Sequence, residues 1–289
     1  MFPARASFTV PLPSGAALTL GERCLVMGIL NVTPDSFAER ERRADPAAAV
    51  DAALAMEADG ADIIDVGGES TRPGADTVSE ADELARVVPV IAALARRLRA
   101  PISIDTTKAA VARAAVDAGA SIVNDVSGFR RDPALARVVA DTGAAVILMH
   151  MRGTPATMGS HADYQDVVED AARELRESMT LGRAAGVGDD RVVLDPGIGF
   201  AKRPAHSYGV LARLPELASA LGRPLLVGPS RKSFMSGALD GRPAVERDWG
   251  TAAAVTAAVL AGAHIVRVHA VAEMAQVVRV AEEIRRHQP

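Results

Sequence analysis

DIIDVGGESTRPG occupies residues 62–74, GILNVTPDSF 28–37 and DPGIGF 195–200, and each is a short apolar run that stops abruptly on polar residues and glycine. Continuous runs of Val, Ile and Leu of this length are what a strand buried on both faces looks like, as in a parallel sheet covered by helices. Working outward, the pattern returns in LVMGIL (25–30), DIIDV (62–66), PISID (101–105), SIVND (121–125), AAVILM (144–149), RVVLD (191–195), PLLVG (224–228) and HIVRVH (264–269). Asn31, Asp65, Asp105, Asn124, Asp195 and Arg267 all fall at or near the carboxyl ends of these runs.

Between the runs lie alanine-rich stretches with helical spacing, such as PAAAVDAALAMEADG and AEMAQVVRVAEEIRR. Several end on glycine just before the next run: DGAD at 59–62, AGAS at 118–121, TGAA at 142–145 and AGAH at 261–264. Glycine there relieves the left-handed backbone of a helix stop, and the small neighbours let helix and sheet approach closely. Eight strand-helix units joined by right-handed crossovers can close on themselves, whereas an open doubly wound sheet needs no particular count. The expected fold is therefore α/β, a (β/α)8 TIM barrel, as a single domain over 1–289. FTVPLPSGAALTL at 8–20 predicts a short N-terminal hairpin turning at Ser14 and Gly15, and the irregular stretch 151–164 predicts a long loop at the barrel mouth.

Composition narrows the function. The chain of 289 residues is 49% hydrophobic and only 3% aromatic, which suits a packed sheet of Ala, Val, Leu and Ile. A net charge of -4 supplies no basic field for nucleic acid. Cys24 is the sole cysteine, so no internal disulfide forms and a reducing cytoplasm fits best. Prolines interrupt the first apolar residues before any signal core, and the alanine-rich stretch 251–268 reads as helix, turn and strand rather than as a membrane span.

In such a barrel the loops that follow the strands converge at one mouth. Any one Asp, Asn, Ser or Thr there is also what an ordinary helix cap looks like, and eight loops together are harder to explain so. Buried carboxylates at Asp105 and Asp195 call for N–H donors, and with Asn124 and Lys232 they suit a flat heterocycle with mixed donor and acceptor edges. GPSRKS at 228–233 lacks the glycine before lysine that a phosphate loop requires. GGESTRPG at 67–74 reads equally as an anion-binding loop through Ser70, Thr71 and Arg72 or as a surface turn. Arg267 and His269 face the same way on their strand and His264 the other, which argues against a His264 and His269 metal pair. Arg267, His269 and Arg72 suit a diphosphate, with Asn31 giving an oxygen to a magnesium ion held mostly by water and phosphates. His150 and His161 have no third ligand at zinc spacing and read as loop structure.

GILNVTPDSF, DVGGESTRPG, ISIDTT, IVNDVSG, LMHMRG, DPGIGF, GPSRKSF and RVH occur together in one order, and in that order the chain resembles the dihydropteroate synthases over nearly its whole length. The resemblance implies the same barrel, usually as a homodimer. It implies that 4-aminobenzoate displaces diphosphate from 6-hydroxymethyl-7,8-dihydropterin diphosphate to give 7,8-dihydropteroate, with Mg2+ assisting. By position, Asp105, Asn124, Asp195 and Lys232 would hold the pterin. Asn31, Arg72, Lys232, Arg267 and His269 would form the catalytic set, with Asn31 at the metal, and Phe37, Thr71, Pro73, Phe200 and Ser233 would shape the aminobenzoate pocket. The chain departs from the family pattern where AERERR (38–43) replaces the usual Ser-Asp-Gly-Gly, where GFAK stands for GFGK, and where Ala270 stands for an aspartate after RVH. A pterin-binding relative with impaired catalysis and a pterin-dependent methyltransferase are the alternatives.

Overall fold

The computed structural model describes residues 2–32, 46–70 and 77–288. Phe37, Thr71, Arg72, Pro73 and the AERERR stretch lie outside the described residues.

All eight predicted strands form, and all run parallel: β3 (Leu25–Asn31), β4 (Ile63–Gly67), β5 (Ile102–Asp105), β6 (Ile122–Asp125), β7 (Ala145–Met149), β8 (Val192–Asp195), β9 (Leu226–Val227) and β10 (Ile265–Val268). Their spatial order is β8-β7-β6-β5-β4-β3-β10-β9. A parallel bridge between Leu194 and Leu225 and a bond from Leu194 N to Pro224 O at 2.9 Å join the two ends, so the sheet closes as a TIM barrel. The shortest strand is β9, two residues long, because PLLVG is hemmed in by Pro224 and Pro229, and neither proline can donate to a ladder.

Helices α1 (Pro46–Ala58), α2 (Glu80–Leu94), α3 (Ala109–Asp117), α4 (Ala134–Thr142), α5 (Val167–Ala185), α6 (Pro204–Ala212), α7 (Leu214–Leu221), α8 (Asp248–Leu260) and α9 (Val271–Arg286) pack outside the barrel. The glycine stops behave as predicted: Gly119 and Gly262 take φ of 120° and 96°, directly before β6 and β10. Residues 204–221 form two helices rather than one, because Pro215 cannot continue α6 and instead fits the first turn of α7. Stretch 251–268 is helix, turn and strand as read, and no helix among the described residues is long and apolar enough to cross a membrane.

Strand alternation divides the core in two. Outward-facing residues such as Val26, Ile64, Ile104, Val123, Val146 and Leu194 pack on the helices. Inward-facing Leu25, Met27, Ile63, Ile122, Ile147, Val193, Leu226 and Ile265 fill the lower barrel. The predicted hairpin forms as β1 (Phe8–Pro11) and β2 (Ala17–Leu20), its tight turn held by Gly15 N donating to Leu12 O at 3.0 Å. It places Val10, Leu12, Leu18 and Leu20 against that inner cluster and so plugs the end opposite the mouth. The next inward layer toward the open end is polar.

Candidate active site

Inward-facing residues at or next to the carboxyl ends of β5, β6, β8 and β10 are Asp105, Asn124, Asp195 and Arg267, and Asp65 faces inward one layer deeper, in the middle of β4. A residue in each position is fixed by strand register: Gly67 pairs with Asp105 and Asp105 with Asn124, so the side chains stand side by side around the rim. Arg267 ties them together. Its Nε donates to Asp65 Oδ2 at 2.6 Å and its Nη2 to Asp105 Oδ2 at 2.7 Å. Asn124 Nδ2 donates to the same Asp65 Oδ2 at 3.0 Å.

Lys232, from the loop after β9, completes the cup. Its stem crosses Gly199, its Nζ donates to Ile198 O at 2.6 Å, and the ammonium lies 4.4 Å from the centre of the Phe200 ring. A methyl at Gly228 would fall 3.7 Å from Arg267 Cβ and 3.8 Å from Lys232 Nζ, so these two cations share one wall. Asp195 Oδ1 accepts from Gly197 N at 2.7 Å, which pins the DPGIGF turn to the carboxylate that opens it.

Burial sets the electrostatics. It pushes the Asp105 carboxyl up, opposed by Arg267 and reinforced by Asp65. It pushes Asp195 up as well, opposed first by Lys232. Lys232 falls to about 8 through the same desolvation, with Asp195 pulling the other way. The cup is therefore a set of buried charges that compensate one another in part.

Asn31 ends β3 beside this cup, its Oδ1 3.9 Å from where a Gly67 methyl would stand. His269 Nδ1 is paired with Ser230 Oγ at 2.9 Å, two residues beyond Arg267. Ser233 is exposed and opens the 3-10 turn Ser233–Met235, while Phe200 is buried against Met149, Met151 and Met158. His264 lies away from the mouth, where Nδ1 accepts from Leu225 N at 3.1 Å and Nε2 bonds Ala6 O at 2.9 Å.

Residues 27–269 match the family described as pterin binding enzyme. The chain is 49% identical to the dihydropteroate synthase of Synechocystis sp. over 280 residues, 96% of each chain. This chain belongs to the dihydropteroate synthase family. Solved structures agree. The dihydropteroate synthase of Xanthomonas albilineans with 4-aminobenzoic acid superposes with a TM-score of 0.90 at 40% identity, over 98% of this chain and 100% of that one. That of Burkholderia cenocepacia, complexed with 7,8-dihydropteroate, gives 0.87 at 41% identity over 99% and 98%.

Two of the departures from the dihydropteroate synthase pattern now have a physical reading. Ala201, the alanine of GFAK, takes φ of 45°, the left-handed region where a glycine would be unstrained. Ala270 is the N-cap residue of α9 and makes no side-chain cap, whereas an aspartate there has an oxygen to offer the first-turn N–H groups.

Two features of the site escape sequence reasoning. For Asp65 the sequence shows an aspartate near the end of an apolar run, but not that both Arg267 and Asn124 rest on it. Behind the DPGIGF turn, Lys202 donates to His150 Nδ1 at 2.7 Å and to Phe200 O at 3.3 Å. His150 Nε2 in turn meets Glu174 Oε2 at 3.0 Å, and Arg152 clasps the same carboxylate. His150 is loop structure as expected, but it is a fully buried link between α5 and the site wall.

Proposed function

We propose that this chain condenses 6-hydroxymethyl-7,8-dihydropterin diphosphate with 4-aminobenzoate to give 7,8-dihydropteroate and diphosphate. The observation that carries the reading is the convergence of Asp105, Asn124, Asp195 and Lys232, from four separate strands and loops, on one buried cup. A pterin ring offers the mixed edges that this set matches. The Asp195 carboxylate accepts from the 2-amino and ring N–H groups, Asn124 both donates and accepts, and Lys232 lies over the ring plane or at an acceptor edge.

Arg267 spends two of its five N–H groups on Asp65 and Asp105, which leaves the others for anionic oxygens. With His269 and Arg72 it stabilises charge on the departing diphosphate as the carbon-oxygen bond breaks. The electron-rich ring carries the positive charge left on the methylene carbon, and the aminobenzoate nitrogen then bonds that carbon and gives up a proton. Phe200 and Ser233 are assigned to the aminobenzoate pocket, and by family position Phe37, Thr71 and Pro73, outside the described residues, are assigned to it as well.

Magnesium fits the same arrangement. No group of three or more His, Cys, Asp or Glu side chains among the described residues makes a protein-only metal cage, and Asn31, at the end of β3, would offer a side-chain carbonyl oxygen to the ion. One protein oxygen plus substrate phosphates is how this hard cation is usually held. When bound it neutralises phosphate charge and so makes diphosphate a better leaving group.

A single-domain homodimer in the cytoplasm belongs to the same reading. Trp249 at the start of α8 is 88% exposed and Val245 nearby 71%, an apolar pair that a second copy would cover. Sedimentation equilibrium of the wild type against Trp249→Glu tests it.

The decisive assay mixes the purified chain with the pterin diphosphate, 4-aminobenzoate and Mg2+. Diphosphate release in step with dihydropteroate formation is expected. Tight pterin binding without release would instead favour the catalytically impaired alternative.

A further inference from the structure

We infer that Asp65, which no motif assigns a role, is the positioning residue that fixes which edge Asn124 and Arg267 present to the heterocycle. The inference rests on the pterin reading above and deepens it.

Asp65 is completely buried in the middle of β4, two residues before its carboxyl end and one inward layer below Asp105. One of its oxygens, Oδ2, receives both Asn124 Nδ2 and Arg267 Nε. A side-chain amide can be turned over with no change of shape, exchanging its oxygen and nitrogen. Here the exchange is forbidden, because it would set Asn124 Oδ1 against a carboxylate oxygen at 3.0 Å, acceptor against acceptor. Asn124 must therefore keep its nitrogen toward Asp65 and turn its carbonyl oxygen away from it.

The guanidinium is oriented by the same atom. With Nε on Asp65 and Nη2 on Asp105, its plane is held by two carboxylates on adjacent strands, a geometry that a single partner would leave free to rotate. Losing Asp65 therefore does not remove a substrate contact. It lets two contacts adopt more than one arrangement, and affinity and edge selectivity fall together.

Binding of 6-hydroxymethylpterin, which carries no diphosphate, measured by calorimetry on the full chain tests this. Asp65→Asn should weaken binding by about 10- to 100-fold, while the KM for 4-aminobenzoate in the full reaction moves by less than about threefold. Asn124→Ala should cost a similar factor. In the double variant the losses should overlap rather than multiply, which a merely structural role for Asp65 would not produce. Should Asp65→Asn fail to fold, Asp65→Asn combined with Arg267→Gln removes the buried charge with its partner, and it should still bind at least about tenfold more weakly than Arg267→Gln alone. Unchanged affinity in the Asp65 variants, or fully multiplicative losses, overturns the inference and leaves the functional reading standing. A wild-type chain that does not bind the pterin overturns both.

Discussion

Lys202 and His150, 52 residues apart in sequence, meet at 2.7 Å between Nζ and Nδ1 behind the wall of the cup. The contact leaves His150 to donate from Nε2 to Glu174, and burial followed by the Lys202 charge drives the imidazole down to about 4. His264, buried at the other end of the barrel, is also pushed down to about 4. Both stay neutral when folded, whereas an unfolded imidazole protonates near 6.5, so the unfolded chain binds more protons between these values. Stability from this source is complete above pH 6.5 and is lost as pH falls toward 4, by up to about 3 kcal/mol per histidine. Lys202, lowered to about 7 by burial, acts with the same sign over higher pH. Urea unfolding at pH 7.5, 6 and 5 should show the decline, and His264→Gln should flatten it in part.

Asp195→Ala should weaken pterin binding by about 2 to 4 kcal/mol, the loss expected for a buried charge-assisted contact that also leaves Lys232 without its facing carboxylate. Calorimetry with the pterin reads this directly, and unchanged affinity would remove Asp195 from the pocket.

Gly197→Ala should destabilise the chain by at least about 2 kcal/mol. The added methyl would fall 2.0 Å from His150 O at a φ of 66°, so both the clash and the left-handed backbone oppose it, and backbone cannot move aside as a side chain could. Thermal unfolding measures the effect, and a wild-type midpoint would contradict the packing of the two loops.

Ala270→Asp should raise stability by about 1 kcal/mol, because it supplies the missing oxygen at the start of α9 and a negative charge at the helix amino end. For a chain of this length that corresponds to a shift in midpoint of roughly 2 to 4 °C.

Chelating divalent cations should abolish diphosphate release while leaving the binding of 6-hydroxymethylpterin nearly unchanged, since the cation is assigned to the phosphate side alone. Equal loss of both would place the metal at the ring instead.

The closed barrel and the N-terminal hairpin were legible because hydrophobic periodicity and glycine turns are local signals along the chain, whereas the hairpin's docking against the inner barrel cluster was not. Asp105, Asn124, Asp195 and Lys232 were legible as a group because strand ends in such a barrel must converge. Partnerships were not. That Arg267 rests on Asp65 and Asp105 depends on strand order, which pairs β10 with β3 and β3 with β4, and no spacing in the sequence encodes it. The link from Glu174 through His150 to Lys202 was hidden for the same reason, since a glutamate midway along α5 looks like any solvated helix position. The division of 204–221 into two helices is encoded by Pro215.

The plug of Val10, Leu12, Leu18 and Leu20 stoppers one end of the barrel, so among the described residues the polar cup opens toward the other end alone. Whatever lodges deepest must arrive first and depart last. A flat ring resting on the Asp65 layer would thus be boxed in by the second reactant, and traffic through this chain is queued by its architecture before any chemistry begins.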